Sequence, residues 1–244
     1  MKTLSHRGFT LIEVMLFLAI SGMMAVGLLA TVGANINAQR YRDATTSLVT
    51  YLQSEYDKAV NVQNDRPNTM ACSDTTISET GSGQARGTSE CVIIGRFITT
   101  EGGRTFTSRP VYAATGTITA TSSDTDRTAI NKTSPFISSI SSEKLTYTTE
   151  WQTQVVAPHT NNVYNPSILI VRSPLSGALK TYVGAGNSLS SVMTDANDMA
   201  RQADRNLCIN PDGLIFSGRG GAVIINNIGS GSGVKSINTG SGAC

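Results

Sequence analysis

Charge is scarce in this chain. Only 15% of its 244 residues are Asp, Glu, Lys or Arg, against roughly a quarter in an average soluble protein. With 19 basic and 17 acidic residues the formal net charge is +2, too little of either sign for a polybasic nucleic-acid binder or an acidic tail protein, whose affinity comes from summed charge. Two histidines, His6 and His159, exclude a His-rich metal site and leave the commonest general base nearly absent. No CxxC spacing points to zinc, and none of the Gly-Ser-Gly clusters precedes a helix with a Lys-Ser/Thr for phosphate. A nucleophile elbow is missing too, so a Ser/His/Asp hydrolase would depend on His159 in a polar loop. Proline is absent before Pro67, so none interrupts a helix over the first quarter of the chain.

In place of charge there are 57 serine and threonine residues and 23 glycines. Polarity of that kind suits short strands and loops on an extracellular surface. The apolar residues are concentrated at the start, where residues 9–32 hold a single ionisable group, Glu13, and no further charge follows until Arg40. About 20 apolar residues span the hydrocarbon of a bilayer. Lys2 and Arg7 precede the run, which places Met1 in the cytoplasm and the rest of the chain outside. A secretory signal peptide leaving at Val32-Gly33-Ala34 and a plain membrane anchor both fit the hydropathy. Neither gives a carboxylate at position 13 a purpose. Beyond Gly33, the residues Ala38, Tyr41, Ala44, Leu48, Leu52, Tyr56 and Ala59 recur at steps of three and four. That stripe predicts an amphipathic helix continuing the apolar one to about residue 62, interrupted only by Glu55.

Gly8-Phe9-Thr10-Leu11-Ile12-Glu13-Val14, behind a short basic leader and opening a long apolar helix, resembles the cleavage and methylation signature of type IV pilins and the pseudopilins of type II secretion and competence systems. The resemblance implies a leader, residues 1–8, removed by a prepilin peptidase between Gly8 and Phe9, with N-methylation of the new Phe9 amine. It implies that Glu13 pairs with that amine, on the same chain or a neighbour, and so sets the register of packed helices during assembly. The implied partners are other pilin or pseudopilin subunits, an inner-membrane assembly platform, and membrane lipid before assembly. No cofactor is expected, and the chain reads as structural rather than enzymatic.

The expected fold is α+β: a helix over residues 9–62, transmembrane over 9–33 and amphipathic over 34–62, then an exported antiparallel β-rich head over 63–244. Candidate strands are 92–99, 104–109, 111–121, 145–154, 168–172, 179–183, 207–209, 214–216, 222–228 and 234–237, with a short helix expected over 188–205. Glu101-Gly102-Gly103, Pro174-Leu175-Ser176-Gly177 and Pro211-Asp212-Gly213 are the expected turns. The stretch Cys208-Ile209-Asn210-Pro211-Asp212-Gly213-Leu214-Ile215-Phe216 resembles H-type minor pseudopilins and related minor pilins.

Four cysteines, Cys72, Cys91, Cys208 and Cys244, suit disulfides in an exported domain. Three pairings are open; Cys72 with Cys91 and Cys208 with Cys244 is favoured, closing the polar loop after the helix and tying the last residue to the sheet. Asp195, Asn197 and Asp198 lack EF-hand spacing and read as a solvated helix start rather than a calcium site. Arg219, in Gly218-Arg219-Gly220-Gly221, occupies part of a Gly-Arg-x-Arg element with which some competence pilins bind DNA. Gly221 replaces the second arginine, so DNA uptake, or adhesion through the head's loops, is the alternative to a structural role.

Overall fold

The computed structural model describes residues 10–62, 70–73, 76–78, 89–114, 116, 121, 123–138, 140–158, 160, 162–194, 205–210, 221–226, 228–229, 233–237 and 244. A single helix, α1 (Leu11–Val60), opens the chain. Its 50 residues measure about 75 Å at 1.5 Å per residue. The two halves of α1 meet different surroundings. The large apolar side chains from Leu11 to Ile36 stand exposed, Met23 at 81%, whereas Ala44, Leu48, Leu52, Tyr56 and Ala59 are buried in the head.

The head is antiparallel throughout its described pairings. Its strands are β1 (Ala71–Ser73), β2 (Thr76–Ser78), β3 (Cys91–Glu101), β4 (Thr105–Ala114), β5 (Phe136–Ile137), β6 (Leu145–Thr148) and β7 (Gln154–Val156). There follow β8 (Ser167–Arg172), β9 (Leu179–Gly184), β10 (Arg205–Asn210), β11 (Gly221–Ile225), β12 (Ile228–Gly229) and β13 (Val234–Ile237). Two short α-helices, α2 (Asp126–Lys132) and α3 (Leu189–Thr194), and two 3-10 turns, Ser141–Glu143 and Glu150–Gln152, complete the described elements. A seven-stranded sheet runs β12-β9-β8-β3-β4-β5 with β6 also on β4, a four-stranded sheet runs β13-β11-β10-β7, and β1 pairs β2. The buried stripe of α1 packs on both larger sheets, touching Ile98, Phe106, Ile168, Leu207 and Val223 in one core. Strand β8, apolar at four consecutive positions, is buried on both faces, with Ile168 and Ile170 in the core beneath α1 and Leu169 and Val171 in a second cluster.

Several expected strands have other bounds. The expected strands 104–109 and 111–121 are joined through Pro110 in one strand, Thr105–Ala114, while residues 115 and 117–120 lie outside the described residues. Proline is tolerated there because β6 pairs Thr105 to Ser108 and β5 pairs Val111 and Tyr112, leaving Pro110 in the gap between these outer partners. Residues 145–154 are not one strand. The chain turns at Trp151 and Gln152, both in the left-handed region at φ 55 and 60, and crosses from the seven-stranded sheet at β6 to the four-stranded sheet at β7. The span 222–228 likewise splits, with β11 and β12 in different sheets. Arg205 begins a strand rather than ending a helix; residues 195–204 and the expected strand 214–216 lie outside the described residues.

Glycine is required at two places. At the β3/β4 hairpin, Gly102 and Gly103 adopt φ +59 and +66, a region closed to most side chains. At Gly95, where the β3/β4 register shifts, a Cβ would run into the Ile170 carbonyl oxygen and come within 2.8 Å of the Val171 Cα. Strand β8 can therefore lie against β3 only if that position is bare.

Candidate functional site

Thr10 caps the start of α1. Its hydroxyl accepts the Glu13 N–H at 3.4 Å, while Glu13 Oε2 accepts from the Thr10 N–H at 3.2 Å and the Thr10 hydroxyl at 3.1 Å. The two residues form a reciprocal capping box, and the carboxylate sits at the positive end of the helix dipole. This local role of Glu13 is additional to the one implied by the resemblance, and its signal was in the sequence as the spacing Thr10-x-x-Glu13. Gly8 and Phe9 lie outside the described residues.

The segment that follows is suited to an apolar solvent. Its helix carries no buried residue over an 18-residue window of mean hydropathy 2.2. The hydroxyls of Ser21 and Thr31 turn back onto their own helix, donating to the Phe17 carbonyl at 2.7 Å and the Gly27 carbonyl at 3.0 Å. Backbone and hydroxyl donors are thereby satisfied internally, as a helix in lipid requires.

Polar contacts hold the upper half of α1 at three levels. Tyr41 donates its hydroxyl to the Ile209 carbonyl at 2.9 Å and accepts the Gly221 N–H. Midway, the Glu55 carboxylate, 0% exposed, receives Arg96 Nε at 2.9 Å, Lys58 Nζ at 2.7 Å and the Ser108 hydroxyl. Burial alone would raise the Glu55 pKa, but Arg96 and its other donors outweigh it and hold the carboxyl below its ordinary value. Near the end, Tyr56 shares a hydrogen bond of 2.6 Å with Thr181, and Arg172 Nη2 donates to the Val60 carbonyl at 2.9 Å. A cation at a helix C-terminus is the favourable arrangement. Glu55, the one charge in the apolar stripe, is thus a core partner of strand β3; the partner's identity, Arg96, is 41 residues away and carried no local signal.

The structure places Cys72 against Cys91, with Cα atoms 5.9 Å apart, and Cys208 against Cys244 at 5.7 Å, each pair as a disulfide. Both separations lie in the ordinary range. Cys72 and Cys91 join the small β1–β2 sheet to the start of β3, within a cluster containing Met70, Ile77 and Tyr112. Arg219, His159, Asp195, Asn197 and Asp198 lie outside the described residues. Among the described residues no group of His, Cys, Asp and Glu could hold a metal ion.

Residues 4–29 match a family model described as the prokaryotic N-terminal methylation motif. No curated protein matches the chain, and no solved structure does. The match covers the capping box and most of the exposed apolar half of α1, together with residues 4–8 before them, and it supports the type IV pilin and pseudopilin family. Together with a long N-terminal helix on an antiparallel head, the architecture is pilin-like.

Proposed function

We propose that this pilin-like chain is a structural subunit, a minor pilin or pseudopilin, of a type IV pilus or of a type II secretion or competence pseudopilus. The observation that carries the reading is one continuous helix that bears the methylation motif at its start, exposes its apolar first half and buries its second half in the head. Such a helix needs another apolar partner along residues 11–36: lipid before assembly, and the helices of other subunits after it.

Processing would remove residues 1–8 at Gly8/Phe9 on the cytoplasmic side and leave an N-methylated Phe9 amine. A charged side chain at the bilayer centre costs about 2.5 to 3.5 kcal/mol on insertion scales, and Glu13, at the edge of a span that begins at Val14, bears a smaller part of that cost. Pairing Glu13 with that amine, of its own or a neighbouring chain, offsets this cost and fixes axial register. The capping contacts already hold the carboxylate beside Thr10, the residue after Phe9. A subunit of this kind engages prepilin peptidase, fellow subunits and an inner-membrane assembly platform, with its head exported. The resemblance of the stretch after Cys208 supports the minor class.

Mass spectrometry of the mature protein tests the processing. A chain starting at methylated Phe9 supports the proposal, and one starting near Asn35 would mark an ordinary signal peptide and defeat it. Glu13→Ala should be cleaved normally yet enter fibres poorly; unimpaired incorporation would remove the pairing argument.

A further inference from the structure

Trp151 is the chain's one tryptophan, and it is held where a buried core gains nothing from it. It stands 47% exposed in a turn whose two central residues both have positive φ, a conformation that costs of order 1 kcal/mol or more per residue. The Arg40 guanidinium lies 4.7 Å from its ring centroid, and neighbouring Glu150 accepts the Ser47 hydroxyl at 3.1 Å. Trp151 is therefore fixed beside α1 just beyond its exposed apolar half. Val163, 48% exposed, flanks the Gly102–Gly103 turn, its Cγ1 3.1 Å from where a Gly103 Cβ would be. The main-chain link from Thr149 N–H to the Arg104 carbonyl at 3.0 Å ties this turn to the Trp151 loop. Two exposed apolar side chains thus share the end of the head that faces the apolar half of α1.

We infer that this end of the head is a membrane-docking foot, with Trp151 and Val163 seated in the headgroup layer of the bilayer that α1 spans before assembly. The inference rests on the proposal that α1 is inserted in a membrane. Twenty residues from Val14 reach about Gly33 and fill the roughly 30 Å of hydrocarbon. Arg40 then lies about 10 Å further along the helix, of which the headgroup layer accounts for roughly 5 to 7 Å. Side chains on a helix tilt toward its N-terminus, so Arg40 reaches back across the remainder and carries the ring contact with it. The charged residues that adjoin Arg40, Trp151 and the Gly102–Gly103 turn in sequence, Arg40, Arg42 and Arg104 against Asp43, Glu101 and Glu150, balance. A neutral rim with an exposed indole fits the interfacial zone of a zwitterionic bilayer, where tryptophan is enriched, better than an acidic polymer.

The sole tryptophan makes the test specific to this site. The full chain is reconstituted into phosphatidylcholine vesicles with and without headgroup-spin-labelled phosphatidylcholine. Flotation with the vesicles reads anchoring by α1; Trp151 emission reads the foot. The expected result is a floating protein whose emission is blue-shifted, largely lost with the labelled lipid, and restored in large part by Val163→Asp, a substitution at an exposed position. A floating protein whose emission ignores the labelled lipid and is quenched freely by aqueous iodide overturns the foot and leaves the anchor standing. Shielding from both quenchers, the mark of a second copy covering the ring, overturns it as well. A chain that does not float removes the anchor and the foot together.

Discussion

Removing the Glu55 carboxylate leaves Arg96, 9% exposed, charged and short of its partner inside the core. Loss of one member of a buried pair costs about 3 to 5 kcal/mol, whereas replacing both members by apolar side chains is often neutral. Glu55→Ala should therefore lower urea-denaturation stability by roughly that amount, and Glu55→Leu with Arg96→Met should cost much less. The same pair sets an acid limit. With its carboxyl held below the ordinary value in the folded state, Glu55 contributes stability that is complete above about pH 4.3, the unfolded value, and is lost as pH falls through the folded one. Unfolding midpoints measured across that range should fall more steeply in the wild type than in the doubly apolar variant. The sequence displayed Glu55 as an intruder in the stripe, which marked it as unusual. It could not display Arg96, because partners from distant strands are joined only by tertiary register.

Helix α1 was readable as an element because period and absence agree: apolar residues at steps of three and four, and no proline before Pro67. The strands were readable as a class but not in their limits. Pro110 looks like a terminator to local propensity, yet stands inside β4 because its side neighbours are too short to reach it. The run 145–154 looks continuous, yet breaks at Trp151 and Gln152, non-glycine residues in a conformation that local pattern assigns to glycine or asparagine. Gly95 carries the sharpest prediction at this scale. Gly95→Ala must push β8 from β3, since the obstructing atoms are backbone, and should destabilise the head by about 1 to 3 kcal/mol in the manner of an overpacked core. Chemical denaturation and loss of amide protection in Ile168 to Val171 would show it; wild-type values at both would contradict the close approach.

At the scale of the molecule, two covalent closures join distant parts of the head. Their separations of 19 and 36 residues correspond in the chain-entropy model to about 3 and about 4 kcal/mol. Reduction should lower the melting temperature, and single replacement of Cys72 or Cys244 by serine should each account for part of the loss, as scanning calorimetry under oxidising and reducing conditions can resolve. The methylation motif matched over residues 4–29 was legible because its signal is local in sequence. The foot at Trp151 and the clasp at Arg96 were not, being products of how two sheets flank one helix.

In the proposed fibre that helix also decides how load is carried. A pull on the amino end travels along a single covalent rod into the stripe formed by Leu48, Leu52 and Tyr56, with the Tyr41 and Arg172 contacts at either end and Glu55 between them. Because the rod lies lengthwise on the sheets, traction strains these attachments in parallel, as shear, instead of opening them one at a time as a zipper would. The head therefore resists withdrawal with all its helix contacts at once, which is the property a link in a tensile fibre requires.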